Sequence, residues 1–151
     1  MSQRPYSLCQ IERGIVLDHV LGGQSPQLMM ALGLRGLGQP IVLLMGLPSK
    51  LHREKDILVI PELVLDPDTL LRAAILSPEL TVNRIEDGKV AEKSRPELPE
   101  VLVDIVTCPN PGCITRSEEM SQRIVCCPKC KPRLRCYYCE FGFSHEEVVF
   151  I

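Results

Sequence analysis

The sequence contains no run of 18 apolar residues. A helix needs about that length to cross a bilayer, so neither a membrane span nor a membrane partner is expected. Its N-terminus lacks a charged segment followed by an apolar run, and no signal peptide is expected. It has no G-x4-G-K-[S/T] loop and no paired acidic metal site, the usual supports for an enzyme acting on nucleotides. An excess of positive charge is missing too: Lys and Arg number 17 against 19 Asp and Glu, a net charge of −2. A broad nucleic-acid surface needs a basic excess that this chain lacks.

What is present is sulfur. The chain has 8 cysteines in 151 residues. Without a secretion signal they point to the reducing cytosol and a metal, not to a disulfide framework. All but Cys9 lie between Cys108 and Cys139. Cys108-Pro-Asn-Pro-Gly-Cys113 is C-x4-C and Cys136-Tyr-Tyr-Cys139 is C-x2-C, with 22 residues between the two knuckles. Pro and Gly bend the first knuckle so that its sulfurs point inward. Two facing knuckles supply four thiolates to a tetrahedron, which suits one structural Zn2+. Cys127-Pro-Lys-Cys130 is also C-x2-C, so a second ligand set using Cys127 and Cys130 stands beside the first. The surplus thiols, Cys126 among them, are expected to pack as small hydrophobes or to form a disulfide. Cys9 reads as a small strand residue.

Residues 15–20 are β-rich and read as a strand. Asp18 and His19 are neighbours on it, and alternation sends their side chains to opposite faces, which excludes a simple dyad. Ser25-Pro26 opens a helix with Ser25 as cap. Leu28, Met29 and Leu32 form its apolar face, the Met29–Met30 pair is core packing, and Gly36 and Gly38 stop it. The apolar run 40–46 reads as a central strand. Residues 47–55 form a polar loop carrying Lys50, His52, Arg53 and Lys55, followed by a strand over 56–60. Asp66-Pro67 caps a second helix, with Leu70, Leu71, Ala74 and Ile75 as its apolar face and Ser77-Pro78 as its end. Asp87-Gly88 joins strands 81–86 and 89–93 as a hairpin turn.

The order β-α-β-β-α-β-β predicts an α+β fold: an antiparallel sheet with two helices on one face. Ser94 to Glu100, with Pro96 and Pro99, is a stiff linker. Two domains follow, 1–95 and 96–151. The second is too small to stand on a core alone and is expected to be a small antiparallel β domain folded by zinc. Lys129, Lys131, Arg133 and Arg135 fall at every second position and would share one face of a strand. Six acidic and six basic residues balance from Asp104 onward, which disfavours nucleic acid as partner. The segment Phe141, Phe143, Val148, Val149 and Phe150 closes the small core or meets a partner.

Several stretches together resemble the regulatory chain of aspartate carbamoyltransferase: Ile11-Glu-Arg-Gly-Ile-Val-Leu-Asp-His19, Leu47-Pro-Ser49, Thr81-Val-Asn-Arg-Ile85, Lys93-Ser-Arg-Pro96, Cys108-Pro-Asn110, Cys113-Ile114, Cys136-Tyr-Tyr-Cys139 and Phe143-Ser-His145. The resemblance implies a non-catalytic cytoplasmic protein of pyrimidine biosynthesis. Its N-terminal domain would bind CTP, UTP and ATP as allosteric effectors and pair into a regulatory homodimer. Its zinc domain would grip a separate catalytic chain. Carried over by position, the zinc ligands are Cys108, Cys113, Cys136 and Cys139. The nucleotide residues are Gln10, Ile11, Asp18, His19, Asn83, Ile85, Val90 and Lys93. The chain departs from the family at Val59, where a lysine is common, at Gly88, where a bulkier residue stands, and at Glu12, where a base is common. Lys55 or Arg53 is the candidate substitute for the missing lysine. Two readings compete: a zinc-ribbon nucleic-acid-binding protein using the basic row, and a thiol redox enzyme built on a C-x2-C pair.

Overall fold

The computed structural model describes residues 11–34, 36, 38–50 and 53–151. The chain divides into two compact units, Met1–Pro96 and Glu97–Ile151. The first carries β1 (Gly14–Leu21), α1 (Ser25–Ala31), β2 (Val42–Pro48), β3 (Glu54–Pro61), α2 (Pro67–Leu76), β4 (Thr81–Glu86) and β5 (Lys89–Ser94). This is the expected order of elements. The strands form one antiparallel sheet in the order β2-β3-β1-β4-β5.

Local chemistry sets the ends of these elements. At α2, Asp66 Oδ1 accepts the Thr69 N–H at 2.8 Å and Oδ2 accepts the Thr69 hydroxyl at 2.8 Å, satisfying one of the orphan donors of the first turn. Asp87 and Gly88 both have positive φ, 51° and 72°, the geometry of a turn that matches strand twist. Ser25 behaves otherwise than expected. It is the first residue of α1, not its cap, and its hydroxyl donates to Asp56 on β3.

Both helices lie on one face. Cross-strand register puts Ile15 opposite Ile60 and Arg84, and Leu17 opposite Leu58 and Val82, so these residues share a face. Leu70 of α2 lines a cleft of about 460 Å³ with Ile15, Val82 and Arg84, and Ser25 of α1 reaches Asp56 on that same side. Leu17, Val20, Leu28, Leu58, Ile60 and Leu76 are completely buried, each worth about 1.5–3 kcal/mol relative to exposure.

Three expectations need correction. The apolar run read as a central strand is β2, an edge of the sheet; Met45 is 54% exposed, because an apolar run reports a face to be covered and not what covers it. Met30 is 67% exposed, since α1 is only two turns long and presents one narrow buried stripe through Leu28. The polar loop shrinks as well: Leu47 and Pro48 extend β2, while Glu54 and Lys55 begin β3.

The second unit carries β6 (Val101–Val103), β7 (Val106–Thr107), a short α3 (Ile114–Ser117), β8 (Arg123–Cys126), β9 (Leu134–Cys136), β10 (Gly142–Phe143), a 3-10 turn at His145–Glu147 and β11 (Val149–Phe150). An antiparallel sheet runs β10-β9-β8-β6, and β11 pairs with β7. Its apolar core is small: Leu102, Val106, Ile124, Leu134, Phe143 and Val148. The last segment splits its duties, with Phe143 and Val148 closing the core while Phe141 and Val149 stay exposed. The basic row does not form a strand face. Only Arg135 lies on β9; Lys129, Lys131 and Arg133 occupy the irregular connection before it, where Pro128, Pro132 and the Cys127–Cys130 turn break the alternation.

Candidate metal centre and the helix-free sheet face

The Sγ atoms of Cys108, Cys113, Cys136 and Cys139 all lie within 4.8 Å of one another. Cys108 and Cys139 are 3.7 Å apart at sulfur, as are Cys113 and Cys136. A tetrahedron with metal–sulfur bonds of about 2.3 Å has edges of about 3.8 Å. The sulfurs therefore already stand at the corners that one zinc ion requires, far beyond disulfide distance. The first knuckle is shaped by Asn110, whose Oδ1 accepts the Gly112 N–H at 3.0 Å while its carbonyl accepts the Cys113 N–H at 3.1 Å. The second follows β9, where Glu140 N–H returns to the Cys136 carbonyl at 3.0 Å.

Polar groups around the cage favour thiolate sulfur. Thr115 Oγ1 donates to Cys113 Sγ at 3.2 Å and Asn110 Nδ2 to Cys139 Sγ at 3.6 Å. Burial opposes ionisation of Cys139, but the Phe141 N–H and the Asn110 amide, with Cys108 and Cys136 beside it, bring its thiol down to about 7. Burial pushes the Cys108 and Cys136 thiols upward. A divalent cation displaces the protons these groups otherwise hold, so metal uptake releases acid. Four soft donors leave no position open for a reacting water, which makes this a closed, structural type of site. The alternative set is not assembled: Cys127 and Cys130 are joined to each other by a disulfide, and Cys126 is a buried free thiol raised to about 11 by burial.

The other group of residues singled out in the sequence meets on the face of the first sheet that, among the described residues, carries no helix. Val16 pairs with Val59 on one side and with Asn83 on the other, and Asn83 pairs with Lys93. These four therefore share the face, as does Ile85 two positions along β4. Val16, Val59 and Ile85 form a buried apolar patch against which Ile11, Val42 and Ile57 pack. Val90 and Lys93 are three residues apart, a spacing that regular alternation would split. A register shift in the β4–β5 pair places Val90 opposite Ile85 and Lys93 opposite Asn83, so both join this face. Gln10 lies outside the described residues.

A bulge does the same for Asp18 and His19, and here the alternation argument fails. Register in the β1–β3 pair shifts between Leu17 and Val20, and His19 adopts a left-handed φ of 56°. One extra residue then opposes the partner strand. His19 Nδ1 comes to 3.9 Å from Asp18 Oδ1 and is hydrogen-bonded to Thr81 Oγ1 at 3.2 Å. Asp18 Oδ1 accepts the His19 N–H at 2.6 Å and the Lys55 ammonium at 2.9 Å. Burial would raise the Asp18 carboxyl, but the Lys55 and His19 contacts outweigh it and hold it below the usual carboxylate range. Val59 is fully buried and offers no cation. The cation on the same face of β3 is Lys55, four residues earlier; Arg53 is exposed and precedes the strand.

Behind the bulge stands Asp56, missed as a key residue by sequence reasoning. It is wholly buried. Its Oδ1 accepts the Gly46 N–H at 3.1 Å, and its Oδ2 accepts the Gly23 N–H at 3.3 Å and the Ser25 hydroxyl. Unpaired, a buried carboxylate would be costly; paired in this way it clamps the irregular ends of β1 and β2 to β3. No pattern in the sequence marks it, because its three donors come from two other segments, Gly23 and Ser25 at the β1–α1 junction and Gly46 on β2.

A two-unit α+β chain with four cysteine sulfurs placed to hold one structural metal defines a metal-binding protein. The family model for the aspartate carbamoyltransferase regulatory chain, allosteric domain, matches residues 7–97, and that for the metal binding domain of the same chain matches residues 100–149. Similar proteins are the aspartate carbamoyltransferase regulatory chains of Thermofilum pendens, 36% identical over 143 residues that cover 93% of this chain and 90% of that one, and of Pyrococcus horikoshii, 36% identical over 92% of this chain and 93% of that one. That of Methanococcus maripaludis is 36% identical over 91% and 93%. The chain belongs to the aspartate carbamoyltransferase regulatory chain family.

Proposed function

We propose that this chain is the non-catalytic regulatory subunit of a cytoplasmic aspartate carbamoyltransferase. Residues 1–95 would bind nucleoside triphosphates of the CTP, UTP and ATP type. Residues 96–151 would hold one structural zinc through Cys108, Cys113, Cys136 and Cys139 and grip the catalytic chain. The observation that carries this reading is the convergence of Asp18, His19, Asn83, Ile85, Val90 and Lys93 on one sheet face, within the region matched by the allosteric-domain model.

The chemistry of that face suits the ligand. The apolar patch of Val16, Val59 and Ile85 offers a bed for a base, and Ile11, with Gln10 before it, would meet the base edge through main-chain groups. Lys93 and His19 can donate to phosphate oxygens, and Lys55 supplies a further positive charge beside Asp18. Asn83 can hydrogen-bond ribose or phosphate. A ligand shifts a two-state assembly only by its differential affinity for the two states, and coupling of about 1–3 kcal/mol is typical. Two apolar surfaces support the partners. The exposed edge strand β2 suits pairing of two copies, since an unpaired apolar edge otherwise invites aggregation. Ile114, Tyr137 and Phe141, exposed next to the cysteine knuckles, suit contact with a catalytic chain.

Co-purification with the catalytic chain of the same host, followed by activity measurements against ATP, CTP and UTP, tests the proposal. A complex whose activity responds to at least one nucleotide is expected. Failure to form a complex with zinc-loaded protein would overturn it.

A further inference from the structure

One motif is used neither by the zinc cage nor by the sheet face. Cys127-Pro128-Lys129-Cys130 forms the turn that follows β8, and its two sulfurs are bonded to each other. The Cys127 N–H donates to the Arg133 carbonyl at 2.8 Å and the Cys130 N–H to the Cys127 carbonyl at 3.1 Å, so the loop backbone holds both residues in place. Cys130 is exposed and Cys127 half-buried. Lys129 and Lys131, on either side of Cys130, are exposed as well. The four cage thiols stand apart from this loop: Cys136 closes β9 at its other end, and Cys126, the neighbour of Cys127, is buried and free.

We infer that Cys127 and Cys130 form a reversible thiol–disulfide exchange site for small thiols and dithiols, separate from the metal centre. The attacking species is a thiolate anion, and its rate depends on access to the sulfur it attacks. Cys130 supplies the access, and Lys129 and Lys131 draw an anion toward it. A thiolate RS− attacks Cys130 Sγ. The Cys127–Cys130 bond breaks, Cys127 leaves as thiolate, and a mixed disulfide Cys130–S–S–R remains. A second RS− attacks the sulfur of R, releasing R–S–S–R and the Cys130 thiolate. Two thiols have supplied two electrons and, through water, two protons to the pair. The reverse sequence, with R–S–S–R as oxidant, restores the disulfide. In a reducing compartment a disulfide with an exposed sulfur is of the exchanging kind and not a permanent staple.

The test uses the zinc-loaded full chain equilibrated in buffers spanning reduced to oxidised glutathione, then alkylated without unfolding and read by intact and peptide mass. The expected result is two alkyl groups on Cys127 and Cys130 at the reduced end and none at the oxidised end. Half conversion should fall between, with one zinc per chain throughout. A pair that stays oxidised in excess reduced glutathione, or that is alkylated at every ratio, overturns the inference. So does uptake of a second zinc by the reduced pair. Two variants separate exchange from misfolding: Cys127→Ser should retain its zinc and capture one glutathione on Cys130, and Lys129→Gln with Lys131→Gln should slow reduction at low salt but not at high salt. A Cys127→Ser protein that keeps its zinc yet captures no glutathione, or charge variants reduced at the unaltered rate, would count against it.

Discussion

Lys55 Nζ lies 2.9 Å from Asp18 Oδ1, tying β3 to the bulge of β1 where that strand leaves regular pairing. The bond has one foot on each of the strands that carry the apolar patch of Val16 and Val59. It also partners a carboxylate only 9% exposed, which accepts the His19 N–H through the same oxygen.

Acid should weaken this contact. An unfolded aspartate titrates near pH 3.9, and folded Asp18 lies lower. A depressed folded value means that the unfolded chain binds more protons in this range, so stability rises with pH there. The contribution is complete above about pH 4 and is lost as pH falls through the folded value. Replacing Lys55 with Met leaves burial with less to oppose it, so the Asp18 carboxyl should titrate higher and the acid midpoint should rise. Loss of a partner to a buried charged group typically costs about 1–3 kcal/mol. Carboxyl titration by NMR alongside acid unfolding checks both.

Nucleotide affinity should depend on the donors His19 and Lys93 of the helix-free face and not on the lysines of the cysteine loop. His19→Ala and Lys93→Ala are each expected to raise the Kd for a nucleoside triphosphate about tenfold, the equivalent of about 1.4 kcal/mol. Lys129→Ala should leave it unchanged. Isothermal titration with CTP, UTP and ATP measures this.

Zinc should decide whether the second unit folds. Structural zinc sites of this kind contribute about 10–16 kcal/mol, against a core of a few apolar side chains. Chelation, or Cys136→Ser, should remove the far-UV signal of that unit while the first unit keeps its thermal transition. Because thiols must lose protons to bind, affinity should fall with falling pH, visible as zinc release to a colorimetric indicator. Catalytic-chain binding should vanish with the metal.

The cap of α2 gives a local test. Asp66→Ala removes the acceptors for the Thr69 N–H and hydroxyl and should lower the urea midpoint, since a lost N-cap leaves helix donors unmet. Thr69→Val keeps the backbone bond and should cost less. Urea midpoints at constant slope resolve the two.

Much of this architecture was legible because its signals are short in range. Asp66 caps a helix with a residue three positions on, and Asp87-Gly88 closes a hairpin by its own backbone preference. The knuckle spacing of Cys108–Cys113 and Cys136–Cys139 marked a four-sulfur set before any fold was known. Ser25 misled for the opposite reason: its hydroxyl serves a carboxylate 31 residues away, which no local pattern announces. The edge position of β2 was equally hidden, since apolarity records a need for cover without naming the neighbour.

By itself the sequence determined the order of strands and helices, the presence of a larger unit and a smaller cysteine-bearing one, and the chemistry of the cage, all of which depend on neighbours along the chain. Only the tertiary structure decided which cysteines meet and which bond to each other, that bulges in β1 and β5 bring Asp18 with His19 and Val90 with Lys93 onto one face, and that Lys55 pairs with Asp18 beside them. The reason is geometric: a one-residue register shift reverses the side-chain alternation beyond it, and such shifts are set by partners on other strands.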